Sequence, residues 1–189
     1  MVCEIDVDRL HTRGQAICAM LVPLAGQTRL ISGMVSHRSG LMIGVHSGSR
    51  LDNDATAWRF RTVVDGIRGG YYERWIAVDE RRQRYYIDRV YLHLYRRRHF
   101  ESEETEVMAL HCDPNEPEDS GLLKHSAYKR GPHIHVTAAQ QPFPHSHLAL
   151  NVAQLDDVLK SIESLDGAVR SGVMLLRDQV LDLLDHYGL

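Results

Sequence analysis

Apolar positions along the chain follow two periods, helical near both ends and strand-like in between. Val7, Leu10, Ile17, Met20 and Leu21 recur at helical spacing, which predicts a helix over 6–21 ended by Pro23 and Gly26. Ser32–Ser36 and Leu41–His46 read as short strands. Between 55 and 112 the pattern is one of alternation. Trp58, Phe60, Thr62 and Val64 form one such run, Gly69 and Gly70 break the chain, and Tyr71–Val78 follows before the polar turn Asp79–Gln83. Tyr85–Arg97 is the clearest strand. Val90, Leu92 and Leu94 share one face, and Arg89, Tyr91, His93, Tyr95 and Arg97 share the other. Glu106–Cys112 is a further strand, and the short turns imply antiparallel pairing.

After Asn151, a good helix cap with Gln154 three residues on, the period becomes helical again. Leu155, Val158, Leu159, Ile162 and Leu165 make one stripe. Gly167 then separates a second helix carrying Val169, Val173, Leu176, Val180 and Leu183. Together these elements predict an α+β fold in a single domain, mainly an antiparallel sheet covered by C-terminal helices, with one N-terminal helix. Within 1–189, residues 1–50 read as an N-terminal extension, 55–150 as the sheet with a histidine segment, and 151–189 as the helical C-terminus.

Composition narrows the function classes. With 189 residues, 43% hydrophobic and 25% charged, the chain is neither disordered, collagen-like nor a coiled coil. A net charge of -3 means that bulk charge does not recruit nucleic acid or membrane, so any such binding needs a local patch. Three cysteines without paired spacing argue against a disulfide framework and fit a reducing compartment. No signal pattern precedes Glu4, Asp6 and Asp8, and no apolar run is long enough to span a bilayer. The expectation is a cytoplasmic protein with no membrane partner. Charge is uneven along the chain: residues 81–98 carry seven arginines against Asp88, and 101–119 carry eight acids and no lysine or arginine. Such runs usually mark solvated surface; the functional reading is a phosphate-binding strip beside an acidic loop.

Six of the 12 histidines lie between His111 and His147. Two pieces, Pro132-His-Ile-His135 and Pro144-His-Ser-His147, each end in His-x-His. On an extended strand, residues i and i+2 point the same way, so His133 and His135 face together, as do His145 and His147. Such imidazoles suit a divalent metal such as zinc, with His111, Cys112, His125 or an acid as a further ligand. They equally suit metal-free proton transfer, with Lys129 and Arg130 holding a phosphate, or plain recognition of an anion. The bland alternative is half-exposed strand histidines bonded to backbone or to one another. His135-Val-Thr137 has no second copy to make a two-histidine phosphoesterase pair, and there is no Walker-type loop and no H-E-x-x-H.

The strand Tyr85–Tyr95, the run Tyr128–His133 with His135, the element Phe143–His147 and the helices after Asn151 occur in an order that resembles the TumE-type toxin family of bacterial toxin–antitoxin systems. The resemblance covers roughly residues 70–165. It implies a toxin-like protein with a cognate antitoxin or operon neighbour as partner. The expected function is action on RNA or a nucleotide phosphate. His133, His135, His145 and His147 would be catalytic or metal-ligating, Lys129, Arg130, Arg89 and Arg97 would hold phosphate, and Tyr91 and Tyr95 would stack on bases. The alternative is a non-catalytic interaction module of such an operon, binding a protein partner.

Overall fold

The alternating run expected over 85–97 forms the middle of a sheet. The computed structural model describes residues 3–37, 40–48, 53–79, 84–97, 104–113, 131–136, 146–150 and 160–187. Among these, β1 (Glu4–Asp6) leads into α1 (Val7–Ala25), followed by β2 (Ile31–His37), β3 (Gly40–His46), a 3-10 turn at Ala55–Ala57, β4 (Phe60–Arg61), β5 (Ile67–Asp79), β6 (Arg84–Arg96), β7 (Thr105–Cys112), β8 (His133–Val136) and β9 (Ser146–Ala149). A C-terminal helix α2 (Ile162–Leu176) passes through a π-helical turn, Arg177–Leu181, into α3 (Asp182–Tyr187). The strands form one antiparallel sheet in the order β2-β3-β5-β6-β7-β8-β9, with β1 added to β6 and β4 to β5. The fold is α+β, as the pattern predicts.

One face of the sheet is the floor of the core. Tyr71, Trp75, Ile87, Val90, Leu92, Leu94, Leu110 and Ile134 lie buried there beneath apolar stripes from α1 (Leu10, Ile17, Leu21, Leu24) and α2 (Leu165, Val169, Val173, Leu176). The covering layer therefore comes from both ends of the chain. Helix α1 starts at Asp6, whose carboxylate accepts the Arg9 N–H at 2.8 Å. Helix α2 starts at Ser161, which forms a capping box with Ser164. A Cβ on Gly172 would sit 2.3 Å from a Leu110 methyl, so this glycine is where α2 settles onto β7. Leu92 is fully buried on the central strand, and Leu92→Ala should cost about 2–5 kcal/mol in a urea titration; a change under about 0.5 kcal/mol would place it outside the core.

Four boundaries differ from the pattern. Pro23 does not stop α1: the helix continues to Ala25 because Leu21 and Leu24 are still burying, and Gly26, at φ 59°, turns the chain. Gly69 and Gly70 do not break the sheet but lie inside β5. The Phe60 ring covers Gly69, which leaves no room for a Cβ there, and Arg59 and Tyr95 lie close over Gly70, where a Cβ would stand 3.2 Å from each. The run from Trp58 to Val64 is strand only at Phe60–Arg61, because Thr62 folds the chain into a turn, its hydroxyl 3.0 Å from the carbonyls of Val64 and Ile67. Gly167 does not separate two helices. It stands on the solvent side of α2, where its weak helix propensity is overridden by the buried stripe from Leu165 to Leu176. The cap at Asn151 and the stripe Leu155–Leu159 lie outside the described residues.

Polar contacts also cross the core. Glu73 points from β5 into the covered face and is fully buried. Its carboxylate accepts from Arg13 of α1 at 2.8 and 3.0 Å, from the Tyr71 hydroxyl at 2.7 Å and from the Trp75 indole at 2.9 Å. Arg13 also pairs with Asp166 of α2 at 2.5 Å. One guanidinium thus joins both helices to the sheet.

Candidate metal centre

The opposite face of the sheet is polar and aromatic, and strand register determines which side chains meet there. Tyr72, Tyr91, His111 and His133 are successive cross-strand partners on β5, β6, β7 and β8. The next row along the strands runs Gly70, His93, Ala109, His135 and His147. Small residues at 70 and 109 alternate with imidazoles, which leaves room for the rings on either side. Four histidines from three strands, His93, His111, His133 and His135, are thereby neighbours.

The side chains converge. One ligand atom from each of His111, His133 and His135 lies within 4.8 Å of the others. The Nε2 atoms of His133 and His135 are 3.1 Å apart, and those of His93 and His111 are 3.2 Å apart. Rings also pack closely: Tyr91 stacks on His111 with centroids 3.7 Å apart, and His111 lies 3.9 Å from His135. His133 is completely buried, and His111 and His135 are nearly so.

Outer contacts fix ring orientation. His133 donates its Nδ1–H to the Gly131 carbonyl at 2.8 Å, so its Nε2 carries the lone pair facing the cluster. His93 Nδ1 lies 2.7 Å from the Glu106 carboxylate, an acceptor, which places a proton on Nδ1 and turns Nε2 toward His111. Carbonyl and carboxylate partners of this kind are what orient metal-ligating histidines. The spacing fits too. Zinc–nitrogen bonds of about 2.0–2.1 Å in a tetrahedron set ligand nitrogens about 3.3 Å apart; the His133–His135 and His93–His111 pairs match this at 3.1 and 3.2 Å, and the three ligand atoms of His111, His133 and His135 lie within 4.8 Å. Neutral imidazole nitrogens without thiolates suit zinc and its first-row neighbours better than calcium or magnesium, which take oxygen. The residues present therefore fit a divalent transition metal.

Beyond the imidazoles the same face continues in both directions. Towards one end, Asp113 is buried, and its carboxylate accepts from the Tyr91 hydroxyl. Burial, and then the nearby Asp113 charge, push the Tyr91 phenol well above its usual range and keep it protonated. Towards the other end, Tyr95 lies parallel to His93 at 5.5 Å and carries the Arg59 guanidinium 4.0 Å over its ring.

His133 and His135 stand together, as the His-x-His spacing predicts, with Ile134 in the core on the opposite side. His147 occupies the register position directly opposite His135, while His145, Lys129, Arg130 and His125 lie outside the described residues. Arg89 is bonded to Asp88 at 2.9 Å, and Arg97 is exposed just past the end of β6. Tyr91 has one ring face against His111, and Tyr95 lies between His93 and Arg59. Sequence spacing alone does not assign His93 or Glu106 to the site. His93 follows from alternation on β6 together with the pairing of Tyr91 with His111, which only register supplies.

Cys112 lies on the covered face, not the histidine face. Its burial, with the Asp113 charge second, drives the thiol pKa upward, which rules against the thiolate nucleophile that its place beside His111 suggests. Iodoacetamide at neutral pH should leave Cys112 unmodified in the folded chain and alkylate it after denaturation. Fast alkylation in the folded chain would contradict this placement.

Comparison with protein families, curated proteins and solved structures finds no match to this chain. No helix among the described residues is long and apolar enough to cross a membrane.

Proposed function

We propose that this chain is a metal-dependent, toxin-like enzyme acting on the phosphate esters of RNA or of a nucleotide. The observation that carries this reading is the convergence of His111, His133 and His135 within 4.8 Å, on rings whose orientation is already held by backbone and by packing. A divalent ion held by three imidazoles supplies Lewis-acid polarisation of a phosphoryl oxygen and an activated water. The chain's own groups would do the rest. His93, braced by Glu106, would stand beside the reacting group with its Nε2 next to His111, and the exposed Arg97 of the same face would offer a fork for non-bridging phosphate oxygens. The resemblance to TumE-type toxins points to the same substrate class and to a cognate antitoxin as partner.

The test is to incubate zinc-loaded protein with a short single-stranded RNA and, separately, with a mononucleotide. Cleavage or dephosphorylation that stops on chelation and returns with zinc is the expected result. A fully loaded chain that leaves both substrates intact would contradict it.

The depth of the imidazoles favours a second reading. His133 is 0% exposed, and with His93 as a fourth ligand the ion would be a closed structural staple in a non-catalytic interaction module. In that case chelation lowers the melting temperature of the chain and no substrate is turned over.

A further inference from the structure

At the end of the histidine face remote from Asp113, the sheet sets arginines against one another. Arg61 on β4 is the direct cross-strand partner of Arg68 on β5, and Arg68 is in turn the partner of Tyr95 on β6. Directly opposed like charges destabilise a sheet. Arg97 follows at the end of β6. With Thr62, Asp65 and Gly66, these three arginines line a cavity of about 550 Å³. Among the described residues that line the cavity, Asp65 is the one carboxylate. The nearest partner of Arg68 is Glu104 at 3.7 Å, and that carboxylate is already engaged by Arg59 at 2.9 Å. Arg61 and Arg97 make no ion pair among the described residues.

The cavity wall is also built in advance. The Thr62 hydroxyl ties the turn to the carbonyls of Val64 and Ile67, and Gly66 takes a φ of 77° that favours glycine. The Arg97 N–H donates to the Gly66 carbonyl at 3.0 Å, and the Val63 N–H donates to the Leu24 carbonyl of α1 at 2.8 Å. Little loop ordering is left for a ligand to impose.

We propose that this cavity binds a phosphate group, as a monoester, a diester or the free ion, between the guanidinium groups of Arg61, Arg68 and Arg97. Guanidinium forks match phosphate oxygens, and an anion there relieves the Arg61–Arg68 repulsion. The site shares a face with the histidines. From His93 to Arg97 is four residues along β6, about 13 Å at strand rise. A phosphate in the cavity therefore belongs to a part of the ligand remote from the imidazoles. That assignment of direction rests on the proposed reaction centre, whereas phosphate binding itself does not.

The experiment titrates the full chain at low salt with inorganic phosphate, a mononucleotide and a short single-stranded oligoribonucleotide. It compares wild type, the double variant Arg61→Gln/Arg97→Gln and Asp65→Asn, each checked for an unchanged melting curve. The double variant should weaken every probe that wild type binds by about tenfold or more. For the oligoribonucleotide, the slope of log affinity against log salt should flatten by about 0.7 for each phosphate that the variant no longer neutralises. Asp65→Asn should tighten binding. An oligoribonucleotide bound far more tightly than the mononucleotide identifies a strand as the phosphate source, and equal affinities identify the small ligand. Wild type that binds none of the probes, or a double variant that binds them all as wild type does, overturns the site. A chain that binds phosphate through these arginines yet holds no metal overturns the proposed reaction centre alone.

Discussion

Replacing His135 with alanine should strip the metal from the purified chain while leaving its fold in place. The ring sits at the middle of the cluster, 3.1 Å from His133 by Nε2 and 3.9 Å from His111 by centroid. Removing only the outer hydrogen-bond partner of a ligating histidine typically weakens metal affinity about 10–100-fold, so removing the ligand itself should exceed that range. The fold survives because His135 pairs with Ala109 on the polar face, away from the core beneath α1 and α2. Metal content after dialysis, with the far-ultraviolet spectrum as control, reads both halves of the expectation. A His135→Ala chain that keeps a full complement of metal would exclude this residue from the ligand set.

The second large effect belongs to the core. Glu73→Ala should destabilise the chain by about 3–5 kcal/mol, because it leaves the Arg13 guanidinium buried without its bidentate partner. The Tyr71 hydroxyl and the Trp75 indole lose their acceptor in the same step. Replacing both charges with apolar residues, as in Arg13→Met/Glu73→Leu, should recover much of the loss, since the cost comes from the unpaired ion rather than from absence of the pair. Urea denaturation of the single and double variants separates these cases. A Glu73→Ala chain within about 0.5 kcal/mol of wild type would mean that the network carries no net stability.

The sheet was legible because its core face is apolar and its other face is polar and aromatic. Val90, Leu92 and Leu94 alternate with His93 and Tyr95, and that period alone selects the buried side and the central strand. Glycine was the weak point of the reading. Gly69, Gly70 and Gly167 look alike in sequence, yet the first is required by the Phe60 ring packed over it, the second lies inside the same strand, and the third is a tolerated helix residue facing solvent. The short strand β1 carries too few residues to show a period. At the site, the i, i+2 rule was enough to put His133 beside His135. The partners from other strands, His93 and His111, depend on register, and register is set by pairing across long sequence separations. The Glu73 network was hidden for a related reason: a lone Glu in an alternating run does not show that an arginine from a distant helix lies over it.

X-ray absorption at the zinc edge, on the full chain loaded with zinc and freed of excess ion, tests the metal centre most directly. The expected spectrum shows one ion per chain with nitrogen neighbours at about 2.0–2.1 Å and the outer-shell scattering of imidazole rings, lost in His135→Ala. A chain that retains no stoichiometric ion, or one whose ion sees only oxygen or sulfur, would contradict it.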